Sequence, residues 1–294
     1  MHPWAGVGFG EFNFAWSLTP FPGRPVAFFD HTHNLPLQLA VELGLPLGLL
    51  VLALLLWALL LAQRAALRAG AHADPAQAPL QRAAFMMVFL ILVHSLLEYP
   101  LWYAYFLLPA AFAFGLGLAE PAEASPARGA AEAPQRTRPL VIASMVLMLG
   151  GLASVADYAR VVVIFAPGEA APPLAQRIAD GRRSVFFAHH ADYAAATIAE
   201  HPSEAMVSFL RAPHYLLDAR LMEAWAKALN ESGDTERARY VAQRLHEFRN
   251  EQAAEFFAPC ADPPASGKPV PFQCAAPTQP FGYEDFRQPA DPGR

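Results

Sequence analysis

The chain has 294 residues, 54% of them hydrophobic and 16% charged, with a mean hydropathy of +0.23. Soluble domains carry charge on about a quarter of their residues, so this composition excludes a purely soluble protein and predicts a membrane protein with a soluble part. The net charge of −5 argues against nucleic acid as a partner.

Residues 1–34 are rich in aromatic, Gly and Pro residues, with Trp4, Phe9, Phe12, Phe14, Trp16, Phe21, Phe28 and Phe29 among turn formers. No secretory signal peptide is read here, because Met1 is followed by HPWAGVGFGEFNF, without a basic stretch and an apolar core. Pro20, Pro22 and Pro25 forbid a continuous helix, so the segment reads as an ordered loop at a membrane interface, where aromatic rings are favoured. It ends in a short polar turn carrying His31, His33 and Asn34. That turn opens into an apolar run over 35–62 with a single ionisable group, Glu42. A helix of this length is sufficient to cross a bilayer.

The apolar stretch 83–119 is too long for one span and holds His94, Glu98 and Pro100 near its middle. Two spans, 83–97 and 101–119, joined by a tight Glu-Tyr-Pro turn, fit better and keep Glu98 and Tyr99 at a membrane surface. An ionised Glu in hydrocarbon would cost at least about 2.5 kcal/mol. An Ala/Pro/Glu-rich linker over 120–138 precedes a fourth span, 140–165, in which Asp157 and Arg160 stand at i, i+3 and can pair. The loops after the first and third spans carry the arginines, which places them in the cytoplasm. Residues 1–34, the Glu-Tyr-Pro turn and everything after 165 then share the outer side.

Residues 166–294 read as a soluble helical domain. LMEAWAKALNESGDTERARYVAQRLHEFRNEQAAEFF splits into two amphipathic helices, with Gly233 ending the first and Asp234 capping the second. The pair resembles half of a tetratricopeptide hairpin. A shorter helix is expected around 184–200. Beyond 258 the chain is Pro-rich and holds both cysteines, Cys260 and Cys274. They form a disulfide if this side is the periplasm, or remain two free thiols.

His33 is a candidate general base, since imidazole accepts a proton near neutral pH. Asn34 could orient its ring or a substrate, and the alternative for both is loop structure. His31 and His33 form an H-x-H pair, but no third ligand is in sight and no metal is assigned. His94 and Glu98, four apart, would face one side of a helix with Tyr99 nearby. They read either as a functional cluster or as a pair that fixes the turn, and Glu42 could pair with His94.

HTHNLPLQLAVELGLPLG, residues 31–48, resembles the His-Asn segment of the O-antigen ligase superfamily. HSLLEYPLWYAYFLLP, residues 94–109, resembles the hallmark of its protein-glycosylating branch, the bacterial O-oligosaccharyltransferases that modify pilins. The helices and cysteine-bearing tail of the C-terminal region are similar to the extra periplasmic domain of that branch. The resemblance implies an all-α, polytopic fold of the C-type glycosyltransferase kind in the bacterial inner membrane, with a soluble helical domain in the periplasm. It implies no cofactor and a glycan donor linked to undecaprenyl diphosphate. The acceptor would be a hydroxyl on a pilin-like protein or on a lipid A core sugar, and membrane lipid surrounds the whole.

By position, the family's essential histidine falls on His33, with Asn34 beside it. Arg24 is the cation expected to hold the diphosphate, and His31, Glu98 and Tyr99 complete the expected substrate contacts. Family members are about twice as long, which implies that the chain is the C-terminal half of such an enzyme: a truncated product, a product with a misassigned start, or one part of a split protein whose partner is the missing N-terminal half. The competing readings are an O-antigen polymerase of the same superfamily, and a non-catalytic membrane anchor whose periplasmic domain binds partners.

Overall fold

The computed structural model describes residues 2–21, 23–72, 77–118, 133–261 and 269–287, and among them there is helix and no strand. The expected all-α membrane protein is what the chain forms. Two compact units emerge: Met1–Phe12 with Phe29–Gly129, and Asn13–Phe28 with Ala130–Arg294. The stretch 1–34, expected as one loop, is thus divided between them. Most of the linker 120–138 and part of the Pro-rich tail lie outside the described residues.

The first unit is built from α2 (Leu35–His72), α3 (Gln77–His94) and α4 (Ala104–Leu118), each packed on the other two. Their mutual faces carry small side chains, with Ala62, Ala66, Ala84, Ala113 and Gly117 buried. Small residues let apolar helices approach closely where lipid offers no hydrophobic contrast. The outward faces are apolar too, and Leu49, Trp57, Met87, Leu90 and Phe112 are exposed. Such helices suit a hydrocarbon solvent. Leu35–Arg68 is long and apolar enough to cross a membrane, while α3 and α4 are shorter apolar helices. The first helix runs ten residues beyond the expected end at 62, and the third element starts at Gln77 rather than 83.

Helix α2 is two helices joined at Gly44, whose backbone (φ 77°, ψ 167°) is non-helical. The cause lies two residues on. Pro46 has no N–H for the carbonyl of Glu42, and the Leu45 N–H donates instead to Pro3 O at 2.7 Å. The freed carbonyls of Val41 and Glu42 accept from Val7 N (2.8 Å) and Gly8 N (3.0 Å). The N-terminal loop therefore supplies the donors that the kink removes.

In the second unit, α5 (Ala133–Phe165) includes a further candidate span, Val141–Phe165. It packs on α6 (Leu174–Gly181) and α7 (Ala188–Ile198), and α8 (Ala219–Glu231) pairs with α9 (Thr235–Glu247). Asp218 and Asp234 cap α8 and α9, accepting from Leu221 N and Arg237 N. Gly233 takes φ 89° between them, as the sequence predicts. The core joins Met222, Trp225, Tyr240, Leu245 and Phe248 to two residues of the early helix α1 (Phe12–Leu18), Phe14 and Leu18. Tyr240 donates to Leu18 O and Leu217 N donates to Asn13 Oδ1. Cys260 and Cys274 form a disulfide.

Candidate functional site

The polar turn before α2 is held against the end of α3 by helix-end chemistry. Asn34 is the N-cap of α2, its Oδ1 accepting from Leu37 N at 2.9 Å. Its Nδ2 donates to Leu96 O (2.8 Å), and the Leu35 N–H donates to Ser95 O (2.7 Å). Donors at the start of one helix thus satisfy carbonyls just past the end of another. Thr32 closes the turn, with its N–H donating to Gln38 Oε1 and its hydroxyl to Asn34 O.

Between these anchors His33 adopts φ 54°, a left-handed conformation in which His is over-represented among non-Gly residues. It carries the imidazole to Glu98, with Nδ1 2.7 Å from Oε2. Both side chains remain open to solvent. The hydrogen bond from His33 is the main reason that Glu98 sits below the usual carboxylate range. A ring whose Nδ1–H is given to a carboxylate presents Nε2 as an acceptor. His31 lies beside this pair, 7% exposed, its ring 4.2 Å from that of His33 and 5.4 Å from that of Tyr99. Its Nδ1 is 2.5 Å from Asp30 Oδ1 but out of line for a hydrogen bond. Burial pushes the Tyr99 phenol up to about 12, so it stays protonated.

Five of the six expected site residues are therefore brought together: His31, His33, Asn34, Glu98 and Tyr99. The Glu98 carboxylate takes its hydrogen bond from His33 rather than His94, although the Glu98 N–H still donates to His94 O at 2.9 Å, because α3 ends at His94 and Glu98 stands beyond the helix. The i, i+4 expectation fails for that reason. Glu42 does not meet His94 either. Its carboxylate, 3% exposed, is held by the backbone of Gly10 and Phe12 and by Gln38.

Arg24 is the sixth, and here the expectation is corrected. It belongs to the second unit and is 2% exposed. Its guanidinium donates to Trp16 O, Thr19 O and Glu247 and lies 4.4 Å from the Phe248 ring. With its donors spent inside a folded core, it is not placed to hold a diphosphate.

The structure adds Glu98 as the third ligand that the H-x-H pair lacked. The ligand atoms of His31, His33 and Glu98 lie within 4.8 Å of one another. At metal–ligand lengths of roughly 2.0–2.2 Å, a tetrahedral ion holds its ligand atoms more than about 3 Å apart. The 2.7 Å His33–Glu98 contact is the spacing of a direct hydrogen bond instead. A second feature escaped the sequence entirely. A cavity of about 380 Å³ lies in the second unit, lined among others by Tyr158, Phe165, His189, His190 and Tyr215. Its walls come from segments up to 58 positions apart, so no local pattern announces it.

An all-helical chain with apolar, lipid-suited exteriors and a polar cluster at a helix mouth defines a membrane-embedded helical protein. The family described as "Virulence factor membrane-bound polymerase, C-terminal" matches residues 82–258, and the chain belongs to it. This is a family of the O-antigen polymerase/ligase superfamily, whose members are membrane enzymes of the glycosyltransferase kind. Neither a curated protein nor a solved structure matches the chain.

Proposed function

We propose that this chain takes part in transferring a glycan from undecaprenyl diphosphate to a hydroxyl at the periplasmic face of a bacterial inner membrane, with His33 as general base. The observation that carries the reading is the His33–Glu98 hydrogen bond at the mouth of α2. Glu98 fixes the ring through Nδ1, which leaves Nε2 to accept the proton of an acceptor hydroxyl. The hydroxyl oxygen then bonds to the anomeric carbon. The bond from that carbon to the lipid diphosphate breaks, and the diphosphate leaves with the electron pair. Asn34 is a positioning residue, because both ends of its amide are committed to the helix ends. His31 and Tyr99 form the stacked wall behind the ring.

The periplasmic assignment has two supports. A disulfide persists in an oxidising compartment. Asn13–Phe28 also shares a folded core with the C-terminal helices, so the segments on either side of 29–165 lie on one side of the membrane. That favours an even number of crossings, such as the four read from the sequence. The C-terminal-half reading is carried by the resemblance of residues 31–48 and 94–109 alone. Cations for the diphosphate would then come from segments other than that of Arg24.

The acceptor is proposed to be a Ser or Thr hydroxyl of a pilin-like protein, or a lipid A core sugar. A second reading within the same superfamily takes another lipid-linked glycan as the acceptor and makes a polymer as the product. The test is transfer measured in membranes with each acceptor in turn. His33→Ala should lower turnover by about 10²-fold or more, the usual contribution of a general base, and Glu98→Gln should lower it less. Full activity in His33→Ala would overturn the assignment and favour a non-catalytic anchor.

A further inference from the structure

The segment 184–187, between α6 and α7, is tied to the side of α5 by one carboxylate. Asp157 accepts from Ser184 Oγ (2.7 Å), Val185 N (2.9 Å) and Phe186 N (2.9 Å), and from Arg160 at 2.6 Å. The docking continues along the helix. Arg177 of α6 donates to Val163 O and Ile164 O in the last turn of α5. Gly181 lies so close to α5 that a Cβ there would meet Ile164 at 2.7 Å. Yet two residues whose backbone N–H groups Asp157 holds point their apolar side chains outward, Val185 78% exposed and Phe186 59%. Fixing a loop while leaving two of its apolar side chains in water is costly, at about 25 cal/mol per Å² of apolar surface.

The position of the loop along α5 resolves this. Asp157 lies eight residues before Phe165, about 12 Å short of the helix end at 1.5 Å per residue. Val185 and Phe186 are therefore level with the body of the candidate span, not with its exit. We propose that this loop is a membrane-interface anchor: Val185 and Phe186 enter the boundary layer of the bilayer that α5 crosses and hold the soluble unit down on the lipid surface.

The partner is the lipid itself, because the apolar patch is continuous with the lipid-suited side of α5, where Val155 and Tyr158 are also exposed. The neighbouring charges are matched: Arg160 with Asp157, Arg183 with Asp180 and Arg182 with Asp192. The attraction is then apolar rather than electrostatic, and a zwitterionic bilayer suffices.

The experiment uses the full chain in phosphatidylcholine vesicles. Both native cysteines are paired, so a fluorescent thiol label reads one introduced site at a time: Val185→Cys, Glu251→Cys as an exposed site in water, and Leu149→Cys on α5 as a site in lipid. At 185 the label should emit at shorter wavelength than at 251, lose its quenching by aqueous iodide, and be quenched by lipids carrying a shallow nitroxide. Equal iodide quenching at 185 and 251, with 149 protected, would overturn the proposal while leaving α5 in the membrane. Shielding from iodide without nitroxide quenching would also overturn it, since protein rather than lipid would then cover the loop.

Discussion

At the scale of single residues, His33 shows how a conformation that few side chains tolerate is used to aim one. Its left-handed backbone, between the Thr32 turn and the Asn34 cap, directs the ring to Glu98 rather than along the helix. Arg24 illustrates the opposite case, a cation whose whole donor set faces inward. Arg24→Met would leave the carbonyls of Trp16 and Thr19 without that donor, while Glu247 keeps Arg244 at 2.8 Å. The expected loss is about 1–3 kcal/mol for each buried group left unsatisfied, measured by thermal unfolding of the second unit. His189 adds a pH dependence. Burial, and then the neighbouring His190, push its imidazole down to about 4. The unfolded chain therefore binds a proton between its ordinary pKa and about 4 that the folded chain does not, and stability falls with acidification across that window. His189→Gln should flatten the pH dependence of unfolding there, as a denaturant titration at pH 7 and pH 5 would show.

At the scale of elements, the break in α2 is set by Pro46 and stitched by the loop before it. Gly44 occupies a backbone region essentially reserved for glycine, and an added Cβ would lie 2.4 Å from Trp4 O. Gly44→Ala should destabilise the first unit by at least about 1–3 kcal/mol and release residues 2–10 to protease. Gly115→Ala on α4, where a Cβ meets nothing within 4 Å, should be neutral or mildly stabilising. Much at this scale was legible in the sequence. The apolar runs, the Glu-Tyr-Pro turn, Gly233 and Asp234 all follow from local rules. The kink has one local sign, Pro46, but its stitching by the backbone of Pro3, Val7 and Gly8 has none. The His33–Glu98 pair was not legible either. Both residues stood out, but i, i+4 spacing directed Glu98 to His94, and a partner 65 positions away leaves no local trace.

At the scale of the whole molecule, the early segment Asn13–Phe28 was the least legible part. Phe14, Leu18 and Arg24 look like loop residues until Trp225, Tyr240 and Phe248 are set around them. Nothing within 30 residues announces those neighbours. The disulfide was anticipated as one of two states, and its contribution can be measured. Joining residues 14 apart restrains the unfolded chain by about 3 kcal/mol on a loop-entropy estimate. Reduction, or the double change Cys260→Ser and Cys274→Ser, should lower the melting temperature of the second unit correspondingly.

The threading of Asn13–Phe28 through the second unit also orders events during synthesis. These residues are synthesised before the helix hairpin that encloses them, which is made some 200 positions later, so their aromatic rings must wait uncovered until those helices arrive. Anyone cutting out the soluble part at residue 166 would discard a piece of its own interior. A version with residues 13–28 grafted back on should be the one that folds.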